Sequence, residues 1–148
     1  MPKYFVLDSP IHHPSIGRST PLSELAKILV VDDDETNRLV VRVLMERRNY
    51  QVSEAASGPE AIDLVKTEPF DLVLMDLSMP GMDGLETTRR IREDNADPKL
   101  PVAALTAHTS PQHQALCRQE GMNAVLRKPF DSEQLDRLMT LLNMNVQS

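Results

Sequence analysis

Four apolar runs in this chain each end on a polar group able to do chemistry. KILVV runs into Asp32 and Asp33, DLVLM into Asp76, VAAL into Thr106, and AVLR into Lys128 followed by Pro129. A carboxylate can act as a nucleophile and form an aspartyl phosphate. A hydroxyl can donate to a phosphoryl oxygen, and a lysine acts on phosphate as a point charge. Three carboxylates brought together repel and raise one another's pKa. A hard divalent cation relieves that conflict; Mg²⁺ favours one or two carboxylates, several waters and a phosphate oxygen. Taken singly, each residue has an ordinary reading. Asp32, Asp33 and Asp34 can cap the helix that follows, and Asp34 is read that way. Asp76 can be a solvated acid at a strand end, Thr106 can bond its own backbone, and Lys128 can simply solvate. Position is what joins them: parallel strands place their carboxyl ends along one edge, where open α/β sheets put their ligand sites.

The intervening sequence supplies those strands. From Lys27 onward, short apolar runs alternate with segments of helical period. Strands are expected at residues 28–31, 51–55, 71–75, 102–105 and 124–126. A helix over 35–48 carries Leu39, Val40, Val43 and Leu44, read as its buried face. Ser57-Gly-Pro-Glu60 opens a second helix, with a serine cap, proline in the first turn and glutamate at the third position. Asp83-Gly-Leu-Glu86 opens a third, Ser110-Pro111 a fourth and Asp131 a fifth, where Leu135, Leu138, Met139 and Leu142 follow the i, i+3, i+4, i+7 rule. The Met-Pro-Gly turn after Asp76 is expected to leave that side chain exposed at the sheet edge. Such alternation implies an α/β fold: a doubly wound, five-stranded parallel sheet with five helices and right-handed crossovers.

Residues 1–26 differ. Pro2, Pro10, Pro14 and Pro21 with His12, His13, Ser15 and Ser19 suit an extended linker or flanking segment. Tyr4–Leu7 could form a strand, but a loosely packed tail is the favoured reading. The remaining 27–143 form one domain, with 144–148 as a tail. Over 148 residues the net charge is −6, which does not match the basic footprint of a nucleic-acid binder. Cys117 is alone, so no intramolecular disulfide exists, and a reducing, cytoplasmic location is expected. Apolar runs are too short to span a membrane, and no secretory signal is visible. Cys117 is read as semi-buried, His108 and His113 as surface or loop residues, and Arg89, Arg90 and Arg92 as a solvated helix face.

VVDD, LVLMDLSMPGMDG, ALTAH and LRKPF together resemble the receiver domain of two-component response regulators and hybrid sensor kinases, over Lys27 to about Asn143. The resemblance implies the flavodoxin-like strand order 2-1-3-4-5 and a role for each matching residue. Asp76 would be the phosphoacceptor. Asp33, Asp76 and the backbone carbonyl of Ser78 would bind Mg²⁺, with Asp32 acting through a bound water. Thr106 and Lys128 would contact the phosphoryl oxygens, and Ser78 and His108 would border the path of attacking water. The phosphoryl donor or recipient would be a histidine kinase or histidine phosphotransfer domain. The domain itself would touch neither nucleic acid nor membrane, and a homodimer is compatible with it. Asn37-Arg38, His108 and Gly121-Met122 look like receivers of bacterial hybrid sensor histidine kinases, whose parent chain can be anchored in the inner membrane; a stand-alone regulator fits the same residues. One departure stands out: the family often carries Tyr or Phe three residues before the lysine, and here that residue is Val125. Asp32-Asp33-Asp34-Glu35-Thr36 also fits the D-x-D-x-T pattern of haloacid dehalogenase-type phosphohydrolases, with Asp32 as nucleophile and Asp34 as acid/base. That reading leaves Asp76 unexplained. A protein-binding pseudo-receiver would not need the full acidic set.

Overall fold

The computed structural model describes residues 5–7, 25–94, 98–129 and 131–142. In chain order the elements are β1 (Phe5–Leu7), β2 (Lys27–Val31), α1 (Glu35–Glu46), β3 (Gln51–Ala55), α2 (Gly58–Thr67), β4 (Leu72–Asp76), α3 (Gly84–Asp94), β5 (Val102–Thr106), α4 (Pro111–Gln119), β6 (Ala124–Arg127) and α5 (Ser132–Leu141). The sheet runs β1-β6-β5-β4-β2-β3, with every neighbouring pair parallel. Counted from β2, this is the expected order 2-1-3-4-5. The sixth strand corrects the favoured reading of this stretch as a loosely packed tail: Phe5–Leu7 pairs with Ala124–Leu126 at the outer edge. The rest of the N-terminal segment, residues 1–4 and 8–24, and the tail 143–148 lie outside the described residues.

Strand alternation divides the core into two layers. Leu29, Val31, Val73, Met75, Val102, Ala104 and Val125 face α2, α3 and α4, where Ala61, Val65, Ile91 and Cys117 meet them. Ile28, Val30, Leu72, Leu74, Ala103, Leu105 and Leu126 face α1 and α5, meeting Val41, Met45, Leu135, Leu138 and Met139. Strands β4 and β5 are buried along their whole length, as parallel strands covered on both faces must be. The helix starts follow the expected chemistry. Ser57 accepts from the Glu60 N–H, Asp83 from the Glu86 N–H, Ser110 from the His113 N–H and Asp131 from the Gln134 N–H. Glu60 returns the bond to the Ala56 N–H, closing a capping box one residue early.

Three further expectations are corrected. Helix α1 does not bury Leu39, Val40 and Val43, which are 57%, 50% and 38% exposed; it buries Val41 and Met45, with Leu44 partly covered. The Asp34 cap and the short connection from β2 set the rotation of α1. That rotation turns a second, interleaved apolar stripe inward. Arg92 is not a solvated residue of the α3 face. It donates to the carbonyls of Gly121 and Pro98 and to Asn123 Oδ1, which also accepts from the Val102 N–H. Arg89 and Arg90 do stay outside, near Glu86. Cys117 is fully buried, and desolvation raises its thiol pKa to about 11.

The turn after Asp76 ends in a close approach. Gly81 takes φ +74, a left-handed conformation suited to glycine. At Gly84 an added Cβ would lie 2.4 Å from the Asp76 carbonyl oxygen and 2.9 Å from the Leu77 Cα. Backbone cannot give way as a flexible side chain does. Gly84→Ala is therefore expected to lower stability by about 1–3 kcal/mol, the usual range for overpacking, read as a lower midpoint in urea. An unchanged midpoint would show that α3 has room to slide.

Candidate functional site

The expected site residues sit at one edge. β2 and β4 are direct neighbours, with Val31 opposite Met75, so Asp32 and Asp76 leave adjacent strands at the same level. β5 lies next to β4 and β6 next to β5, which brings Thr106 and Lys128 to that edge in turn. Each departing residue stays tied to its neighbour's backbone. The Asp32 N–H donates to the Ala55 carbonyl, Leu77 to Leu105, and Lys128 to Thr106 at 2.8 Å. The Lys128–Pro129 peptide is cis.

Carboxylate oxygens of Asp32, Asp33 and Asp76 all lie within 4.8 Å of one another. Asp33 is exposed and Asp32 buried; Asp76, expected to be exposed at the sheet edge, is buried as well, because its strand is covered along its whole length. The Lys128 ammonium donates to Asp76 Oδ1 at 2.8 Å and lies 3.9 Å from Asp32 Oδ2. Oδ1 of Asp76 also accepts from the Ser78 N–H at 3.3 Å. Among the described residues, no hydrogen bond reaches Asp76 Oδ2. Asp32 Oδ1 accepts from the Asp34 N–H at 2.9 Å. Its Oδ2 is buried and, among the described residues, has no hydrogen-bond partner. Burial foremost raises the Asp32 pKa above its ordinary value of 3.8; the Asp34 N–H opposes this, the Asp76 and Asp33 charges add to it, and Lys128 lowers it. Hence the carboxylates have one ammonium between them and one buried oxygen left over. An orphaned buried carboxylate oxygen facing two further acids is a donor set that suits a hard divalent cation.

Asp34 stands apart from this group. Its Oδ1 accepts from the Thr36 and Asn37 N–H groups, so it is the cap of α1. That commitment removes the acid/base that a D-x-D-x-T hydrolase would require. Thr106 is buried, and its Oγ1 accepts from the His108 N–H at 3.0 Å. Val125 is buried in β6 opposite Ala104, with neither ring nor polar atom to offer.

Two contributors escaped sequence reasoning about the site. Arg38 on α1 donates to the Asp32 carbonyl at 2.7 Å and to Glu54 at 2.9 Å, bracing the turn that aims Asp32. The Asn37-Arg38 pair after the acidic run was its only signal. His113, expected as a surface or loop residue, is half-buried in the first turn of α4, with Nε2 3.4 Å from Thr106 Oγ1. Nothing in the local sequence marks that contact.

Comparison with known proteins agrees with this geometry. The family model for the response regulator receiver domain matches residues 28–140. The sensor histidine kinase GacS of Pseudomonas protegens is 37% identical over 133 residues, covering 85% of this chain but 14% of the kinase. The chain thus spans about a seventh of that relative's length. Among solved structures, the chemotaxis protein CheY4 of Vibrio cholerae superposes with a TM-score of 0.76 at 31% identity, covering 80% of this chain and 98% of that one. The receiver domain of a sensor histidine kinase from Pseudomonas aeruginosa, solved with a magnesium ion coordinated in its active-site cleft, gives 0.74 at 32% identity, covering 80% and 98%. A family match over residues 28–140, carried on a sheet of the same order, places this chain in the response regulator receiver domain family, the phosphorelay modules of two-component signal transduction.

Proposed function

We propose that this domain takes up a phosphoryl group on Asp76 from a phosphohistidine, with Mg²⁺ as cofactor. The observation that carries the reading is Asp76 itself: a buried carboxylate whose Oδ1 is held by Lys128 and Ser78 while Oδ2 carries no hydrogen bond among the described residues. Oδ2 attacks phosphorus, the P–N bond to the donor imidazole breaks, and its electron pair stays on the departing nitrogen. Lys128, already 2.8 Å from Asp76, meets the negative charge of the incoming group, and the Thr106 hydroxyl donates to one of its oxygens. Asp33, Asp76 and the Ser78 carbonyl would hold the cation, with Asp32 contributing through a bound water. When bound, the cation supplies the positive charge that the three crowded carboxylates lack and offsets charge on the phosphoryl oxygens. Ser78 and His108 are both exposed, consistent with residues bordering the route of hydrolytic water.

The donor or recipient would be a histidine kinase or a histidine phosphotransfer domain, and the setting the cytoplasm. Among the described residues no helix is long and apolar enough to cross a membrane. Likeness to GacS favours the receiver of a hybrid sensor histidine kinase. Near-complete coverage of CheY4 supports a second reading, a stand-alone single-domain regulator.

Incubation with acetyl phosphate and Mg²⁺ should leave a covalent phosphate that intact-mass measurement detects, absent without Mg²⁺ and in Asp76→Asn. Covalent phosphate that survives Asp76→Asn but is lost in Asp32→Asn would sink the reading in favour of a hydrolase. Lys128→Met should weaken beryllofluoride binding by about tenfold to a hundredfold, the loss of one charge-assisted hydrogen bond worth roughly 1.5–3 kcal/mol. Asp32 predicts a pH effect. An acid whose pKa is higher in the fold than in the unfolded chain removes stability as pH rises from its ordinary 3.8 through the raised value, and the full penalty applies above it. Metal-free Asp32→Asn should therefore be more stable than the parent at neutral pH, with the gap closing in acid. Mg²⁺ should stabilise the parent more than the variant. Parallel stability curves would show that Asp32 is not the strained member of the cluster.

A further inference from the structure

Thr106 has one hydroxyl proton, and its surroundings narrow where that proton can go. The His108 N–H already donates to Oγ1, from two residues along the chain. On β6 the residue in register with Thr106 is Arg127, whose guanidinium donates to Thr109 Oγ1, while Val125 lies opposite Ala104. Among the described residues, the remaining polar neighbour of Oγ1 is His113 Nε2 at 3.4 Å. Either the hydroxyl donates to an unprotonated Nε2 or a protonated Nε2 donates to the hydroxyl; in both cases the contact orients the Thr106 oxygen.

His113 is itself held. Ser110 caps α4 by accepting from the His113 N–H at 3.2 Å, and Pro111 fills the first turn. Gln114, one residue on, donates its side-chain N–H to the Thr109 carbonyl at 2.6 Å. The exposed His108 ring stands edge-on to the His113 ring, 6.0 Å between centroids at 71°. Thus the ring that meets Thr106 belongs to the first turn of α4, and that turn is bonded to the loop leaving β5.

We propose that His113 is a positioning residue for phosphoryl capture. It holds the Thr106 hydroxyl in the unphosphorylated domain and passes the movement of that hydroxyl into the first turn of α4. This rests on the reading of Asp76 as phosphoacceptor and Thr106 as hydroxyl donor to the bound group. With Nε2 as the acceptor, the one hydroxyl proton cannot serve both His113 and a phosphoryl oxygen, so the two bonds compete. An interaction present only in the unphosphorylated state opposes phosphoryl binding, and the opposition is reciprocal. At 3.4 Å the contact is long for its kind, which puts its effect at the low end for a neutral hydrogen bond.

The test is NMR on the full chain labelled with ¹⁵N, with ¹⁹F signals reporting beryllofluoride bound in the presence of Mg²⁺. On loading, the His113 Nε2 resonance should shift. The shift should be lost in Thr106→Val and return in Thr106→Ser, which keeps the hydroxyl. His113→Phe, which keeps a ring and removes the nitrogen, should bind beryllofluoride about two- to fivefold more tightly. A merely structural histidine would leave the nitrogen resonance where it was. If beryllofluoride binds and His113 does not respond, the proposal is overturned and the reading of Asp76 stands. If the parent chain binds no beryllofluoride with Mg²⁺ present, the phosphoacceptor reading falls and this proposal with it.

Discussion

Like-charge crowding at the end of a hydrophobic sheet is the constraint around which this structure is arranged. Three carboxylates offer oxygens within 4.8 Å of one another, two of them on buried residues, with one ammonium between them. Left alone, such a group would drive protonation or local opening. The apolar sheet beneath resists opening, because β4 and β5 are buried along their length and both faces are covered by helices. The cluster therefore keeps its shape while its charge remains under-compensated. That combination makes the edge ready to receive positive charge, and then an anion held by it.

Rigidity at the edge comes from backbone more than from side chains. Asp32, Leu77 and Lys128 lie just past the last residues of β2, β4 and β6, yet each still donates its N–H to a neighbouring strand or its terminus. A functional residue one step off the sheet would ordinarily inherit the freedom of a loop. Here that freedom is removed before the side chain begins. Gly84 works to the same end from the other side, letting the start of α3 come down onto the Asp76 carbonyl.

Much of this was legible in the residues. Strand-end acids, helix caps and the turn after Asp76 are local features, each carried by a few neighbouring side chains, and all recur in the structure. What was misread depended on rotation or on distance. Helix α1 carries two apolar stripes offset by about a residue, Leu39-Val40-Val43 and Val41-Leu44-Met45, and period alone cannot choose between them. The choice falls to the Asp34 cap and to how β2 delivers the chain. Arg92 looked like one of three surface arginines because its partners, Gly121 and Asn123, are 29 and 31 residues away. His113 met Thr106 through a loop whose geometry no motif encodes.

Strand β1 bears on the extent of that edge. It is parallel to β6, so Leu7 points toward the edge that carries Lys128 and Phe5 lies toward the opposite one. The strand stops at Leu7, beside Leu126 and one residue short of Arg127, so β1 widens the sheet at the same edge that carries Thr106 and Lys128.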